Sequence, residues 1–214
     1  MGTTWSAATL HASPSWHDTL LAEHLPRLLE TLPEGVDRWF FERGPDSVEL
    51  RFRGACDALR PHLLRWGAQV LDAGAAKRMT LGHSRTDFLD YGGSAAVELA
   101  VEFLHADSNA VLTQLRLVHA GALTVQLSEL SVLSMAELTR AWYGETTEPS
   151  TIDPARQTAR QLALLAPWWQ RRAKVLCGFA ALVHWLDPPL MASVLRKVLD
   201  SHQGRLMSPV ATPP

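Results

Sequence analysis

The chain has 214 residues, 47% of them apolar, and a formal net charge of −2. That length supports one large globular domain or two small ones around a sizeable core. The near-neutral charge excludes bulk attraction to nucleic acid or an anionic membrane, and no apolar run reaches the roughly 18 residues that a spanning helix needs.

Residues 1–15 are rich in Ser, Thr and Ala and read as a short first strand. Trp16 to Leu32 reads as a helix, with Ser15 as its N-cap and Leu20, Leu21, Leu25, Leu28 and Leu29 at helical spacing. Pro26 inside this run argues for a kink. Two strand-like runs follow, Trp39 to Phe41 and Val48 to Phe52, joined by the turn residues Gly44-Pro45-Asp46-Ser47. In the second run Val48, Leu50 and Phe52 point one way, and Glu49, Arg51 and Arg53 the other. A charged row on a half-buried strand is either a solvated outer face or a surface that handles anions or protons.

Cys56 to Ala73 reads as a helix, Lys77 to Ser84 as a strand, and Ser94 to His105 as a helix entered through Gly92-Gly93. Asp107-Ser108 reads as the cap of a further helix from Asn109. Ala136 to Tyr143 is helical, residues 144–154 form a loop, and residues 155–204 are helical with a break at Asp187-Pro188-Pro189. The tail from Ser208 is expected to be disordered, which leaves one domain over residues 1–207. The order gives an α+β fold: an antiparallel sheet packed with helices and a helical C-terminal third.

Cys56 and Cys177 form no CxxC pair and lie in apolar sequence, so both read as buried free thiols, which suits a reducing cytoplasm. No signal peptide is read at the N-terminus. Eight tryptophans suit a core, or a groove that grips a peptide. The GxGxxG, Walker A, HExxH, GxSxG and EF-hand patterns are missing, and nine histidines, His83 and His105 among them, show no metal spacing. No metal and no cofactor are implied.

Several short stretches together resemble one family, the C-terminal domain of lantibiotic dehydratases, also found as separate thiopeptide-type bacteriocin biosynthesis proteins. They are Trp16 with Leu20 and Leu21; Trp39-Phe40-Phe41-Glu42-Arg43; Glu49-Leu50-Arg51-Phe52-Arg53; Asp87-Phe88-Leu89-Asp90-Tyr91-Gly92-Gly93; Glu102 to Ser108; and Val198 to Leu206. The resemblance covers most of residues 16–206. The departures concern charge. Glu49 stands where the family usually has the first arginine of its HLRLRF strand, Asp90 where it has the arginine before YGG, and Asp200 where it has the first histidine of an HMH pattern; Asp87 alone stands for a pair of glutamates.

Two family reactions are relevant. In one, glutamylated Ser or Thr of a precursor peptide loses glutamate, through removal of the α-proton and cationic stabilisation of the departing carboxylate. In the other, two dehydroalanines of a modified peptide join in a formal four-plus-two aza-cycloaddition, and loss of water and leader peptide leaves a pyridine macrocycle. Lost arginines and added acids turn the expectation toward cycloaddition, with glutamate elimination and a non-catalytic leader-binding module as alternatives. The chain, read as free-standing without an adenylation or glutamyl-transfer partner domain, fits either reaction.

The resemblance implies Arg51, Tyr91, Asp87 and His202 as catalytic residues, and Glu49, Arg53, Trp39, Ser108 and Arg205 as substrate contacts. Arg51 would orient an oxyanion or amide, or else form a surface salt bridge with Glu49 or Asp87. Tyr91 would donate a proton or hydrogen bond, or pack its ring on the sheet. Asp87 would orient them, or be a solvated loop acid. His202 would shuttle protons with support from Arg205, or stand on a helix surface. Asp107-Ser108 reads as a cap before chemistry. The stretch at 38–53, the YGG segment and His202 are expected to wall one peptide-processing pocket. The expected partner is a ribosomally made precursor peptide with its leader, with no nucleic acid and no membrane; homodimerisation stays open.

Overall fold

A computed structural model of the chain describes residues 5–54, 56–84, 94–143, 161–183 and 188–206. The chain divides into two compact units, residues 1–86 with 208–214 and residues 87–207. The α+β class holds: a four-stranded antiparallel sheet with helices.

The first unit is built on strands β1 (Trp5–His11), β2 (Arg38–Arg43), β3 (Ser47–Arg53) and β4 (Arg78–Ser84) in the order β2-β3-β1-β4. Alternation decides which face is buried. Val48, Leu50 and Phe52 lie beside Trp39 and Phe41 of β2 and Ala8 and Leu10 of β1, all buried. Fully burying each large apolar side chain stabilises the fold by about 1.5–3 kcal/mol.

Helices α1 (Pro14–Thr19) and α2 (Leu25–Leu29) bring Leu20, Leu21, Leu25 and Leu28 into the core. The expected kink at Pro26 takes the form of a π-helical turn, Leu20–His24, between them. Proline lacks the N–H that an uninterrupted helix would use there, and the wider turn absorbs the defect. Leu25 N–H bonds back to Leu20 O, and the His24 carbonyl accepts Trp66 Nε1 of helix α3 (Cys56–Asp72) at 2.9 Å. The N-cap position is Ser13, followed by Pro14, and not Ser15; Pro14 is suited to open a helix because its missing N–H would be unpaired there in any case. Gly54, at φ +92°, ends β3 so close to Gly35 that a Cβ would lie 2.0 Å from the Gly35 carbonyl oxygen.

The second unit is helical: α4 (Ser94–His119), α5 (Leu127–Tyr143), α6 (Ala166–Val183) and α7 (Pro188–Leu206). Two expectations are corrected here. Asp107-Ser108 caps no helix but lies inside α4, which runs unbroken through it, because Phe103, Leu104, Ala106, Ala110 and Val111 keep one face buried on both sides. Cys177 is exposed, not buried: α6 turns Leu176, Phe179 and Val183 inward, and Cys177 stands off that stripe, its S–H donating to Ala141 O at 3.2 Å. The segment with Asp87, Tyr91 and Gly92-Gly93, the loop at 144–154 and the tail from Ser208 lie outside the described residues. No helix among the described residues is long and apolar enough to cross a membrane.

Candidate functional site

The charged face of β3 is a paired surface. Glu42 of β2 and Glu49 of β3 stand directly opposite each other, an arrangement that repels. Arg51 relieves it: its Nε donates to Glu49 Oε1 at 2.8 Å and its Nη2 lies 3.3 Å from Glu42 Oε2. The Arg51 guanidinium also lies 5.6 Å from the centroid of the Phe40 ring, close enough for a cation–π contact. The salt bridge between Arg51 and Glu49, read from sequence as the alternative to a catalytic role, is thus formed. Two carboxylates share one guanidinium, and all three groups are only partly exposed.

Arg53 is buried at the end of β3 and grips Asp37 with two bonds, Nε to Oδ1 at 2.9 Å and Nη2 to Oδ2 at 2.5 Å. That fork holds the Asp37 carboxyl below its ordinary range. Trp39 belongs to the core face, stacked on Phe41 with ring centroids 6.5 Å apart. A second arginine of this sheet, Arg43, sits on the same core face and ion-pairs with Asp18 at 2.6 Å.

The second unit holds a different kind of cluster. Asp107 is fully buried at the middle of α4. Its Oδ1 accepts from His202 Nδ1 at 2.6 Å and from Arg172 Nη1 at 3.3 Å, and its Oδ2 accepts from Arg205 Nη1 at 3.1 Å. Arg172 also donates to Ser134 Oγ at 2.8 Å and to the Ser134 carbonyl at 3.3 Å. Three helices, α4, α6 and α7, therefore meet at one carboxylate, and α5 is tied in through Ser134 and Arg172. Burial alone would raise the Asp107 pKa, but His202, Arg205 and Arg172 outweigh it and hold the group far below the carboxylate range. For His202 burial wins: it lowers the pKa from the ordinary histidine value despite Asp107, which favours the neutral imidazole.

The sequence-predicted residues separate accordingly. Glu49, Arg51, Arg53 and Trp39 belong to the sheet of the first unit. His202, Arg205 and Ser108 belong to the second, all three fully buried, so His202 is not a helix-surface histidine. Tyr91 and Asp87 lie outside the described residues. Sequence reasoning passed over Arg172 and Ser134, and took Asp107 for a cap. A signal for Arg172 existed: it stands in the apolar stripe Leu165, Trp169, Arg172, Leu176, Phe179, Val183, where a lone charge needs a buried partner. His83, an earlier candidate, is exposed and lines a pocket of about 160 Å³ with Ser6, Asp57 and Arg60. Among the described residues no cluster of three His, Cys, Asp or Glu side chains could hold a metal ion.

The tRNA-dependent lantibiotic dehydratase MibB from Microbispora sp. 107891 is similar in structure, with a TM-score of 0.81 at 19% identity. The likeness covers 97% of this chain and 26% of MibB, so this chain spans about a quarter of that protein. The pyridine synthase TbtD from thiomuracin biosynthesis is a more distant match, with a TM-score of 0.45, 9% identity and coverage of 94% and 98% of the two chains. No curated protein matches. The family described as lantibiotic biosynthesis dehydratase C-term matches residues 5–208, and the chain belongs to that family.

Proposed function

We propose that this chain matures a ribosomally made peptide by joining two dehydroalanines in a formal four-plus-two aza-cycloaddition. Water and the leader peptide then leave, and a pyridine macrocycle remains. The observation that carries this reading is Arg51, shared between the carboxylates of Glu42 and Glu49. Glutamate elimination builds negative charge and expels a carboxylate, and it is served by cations not already neutralised. Cycloaddition expels no carboxylate and asks for positioning and proton relay. A neutral His202 suits the relay. A cytoplasmic location goes with this reading, because the precursor peptide is made there.

Glutamate elimination is the second reading, favoured by Arg51 and Arg53 standing two residues apart on the same face of β3. One experiment separates the two. The protein is incubated with a leader-bearing peptide that contains azoles and two dehydroalanines, and in parallel with a glutamylated peptide. A mass spectrum with macrocycle and free leader supports cycloaddition. Loss of glutamate from the second peptide alone supports elimination. Tight leader binding with neither product leaves a peptide-presenting module.

A further inference from the structure

The buried cluster of the second unit contains more than a stable core requires. Buried ion clusters can often be replaced by apolar side chains of similar volume without loss of stability. Here a carboxylate, two guanidiniums and an imidazole are all at most 1% exposed. The arrangement is also incomplete in a specific way: His202 Nδ1 is bonded at 2.6 Å, and among the described residues the buried His202 Nε2 has no hydrogen-bond partner. A buried imidazole serving packing alone would be expected to use both nitrogens.

We propose that Asp107 is the positioning residue for His202: it fixes the imidazole as the Nδ1–H tautomer and leaves the Nε2 lone pair as the proton acceptor, while Arg172 and Arg205 clamp the carboxylate. This rests on the reading of His202 as the proton carrier of the proposed reaction. The logic is electrostatic. A carboxylate flanked by two guanidiniums carries no proton, so it can only accept, and the one proton of a neutral imidazole must then sit on Nδ1. Nε2 is buried in the peptide-free chain, and it takes the N–H proton of the substrate amide once the bound peptide has opened access to it. The imidazolium, protonated on both nitrogens, returns that proton to the amide oxygen to complete the iminol, and after ring closure this hydroxyl leaves as water with a second proton given up by the ring. Arg172 fixes Asp107 from α6 and is itself fixed by Ser134 of α5, so the orientation of His202 depends on all four helices.

The charged groups that act on His202 predict shifts of opposite sign. Asp107 raises its pKa, and Arg172 and Arg205 lower it; Glu137 of α5 acts on Arg172. Ring nitrogens are followed by NMR on the full chain with 15N-labelled histidine, as a function of pH, beside product formation from the dehydroalanine peptide. Wild type should show His202 as the Nδ1–H tautomer. Asp107→Asn should mix the tautomers, slow product formation about tenfold or more, and move the acid limb of the rate profile to lower pH. Arg172→Gln should keep the tautomer and move the limb to higher pH. Asp107→Glu should restore the tautomer and part of the rate. If Asp107→Asn fails to fold, Arg172→Gln with its opposite shift still decides. Wild-type tautomer and rate in Asp107→Asn, with His202→Asn inactive, overturn the positioning role alone. Full activity of His202→Asn overturns the proton-carrier reading and this proposal with it.

Discussion

Replacing Arg172 by Met tests the buried cluster as a matter of energy. The side chain is 1% exposed and donates to Asp107 and twice to Ser134. Methionine fills most of the volume, so the loss is electrostatic more than steric. Breaking a buried ion pair by removing one partner costs about 3–5 kcal/mol. Asp107 keeps His202 and Arg205, which places the loss near the lower end, about 3 kcal/mol. For a chain of this length each kcal/mol moves Tm by about 2–4 °C, so a fall of roughly 6–12 °C is expected. Calorimetry and urea unfolding followed by circular dichroism measure it. A double-mutant cycle with Asp107→Asn should give a coupling energy of at least about 1 kcal/mol, because the two side chains touch. A fall of less than about 2 °C together with zero coupling would show that the bond between Arg172 and Asp107 does not form in solution, and the link from α5 and α6 to Asp107 would fall with it.

Gly54→Ala should cost about 2 kcal/mol or more, since the residue is at φ +92° and the new Cβ would meet the Gly35 carbonyl; an unchanged urea midpoint would contradict that geometry. Stability should be flat above pH 6.5 and fall below it. His17 and His202 have folded pKa values lowered by burial, so the unfolded chain takes up their protons first as pH drops. A further loss is expected below pH 3.8, where the unfolded chain protonates the carboxyls that Asp37 and Asp107 keep ionised in the fold. A urea midpoint constant from pH 7 to pH 5 would remove the histidine argument. Glu42→Gln with Glu49→Gln frees Arg51 from both carboxylates and should tighten binding of a glutamylated peptide relative to a dehydroalanine peptide; an unchanged ratio of the two Kd values would mean that this face does not select by charge. Arg51→Gln should change stability by less than about 1 kcal/mol, because its pairs are partly exposed, and should still abolish product formation.

The sheet was legible because alternation is a local signal with a period of two. Val48, Leu50 and Phe52 could face only the core once Glu49, Arg51 and Arg53 faced away, and the register follows from that. The helices of the second unit were legible as helices and misread in detail. Asp107-Ser108 has the chemistry of a cap, and a local rule accepted it as one. The competing signal was longer in range: the buried stripe Ala96, Ala100, Phe103, Asp107, Ala110, Gln114 runs through that point without a break. Cys177 failed for a related reason. An apolar neighbourhood along the chain says nothing of which side of a helix a residue takes, and one residue beyond Leu176 is a turn of about 100° toward solvent. His202 and Arg205 were found through family pattern; the apolar stripe around Arg172 signals a buried charge but not its partner, and Ser134 has no local pattern, because their meaning lies in a carboxylate that the chain brings to them from a distant helix.

The two sets of charges therefore answer to different physics, and this is what makes the site residues separable by experiment. Around Arg51 the carboxylates keep part of their hydration, so breaking a pair returns each group to water at little cost. A loss of activity there reads as chemistry. Around Asp107 no hydration is left to recover, so removing Asp107 or either arginine strands a charge and lowers stability, whatever the cluster does for function. Activity loss in the second unit is consequently uninformative by itself. Only a readout tied to one proton, such as the His202 tautomer or the sign of a shifted pH limb, distinguishes a positioning role from a structural one. The opposite signs expected for Asp107→Asn and Arg172→Gln arise from charge alone, and two variants that merely loosened the helix bundle would move the limb the same way.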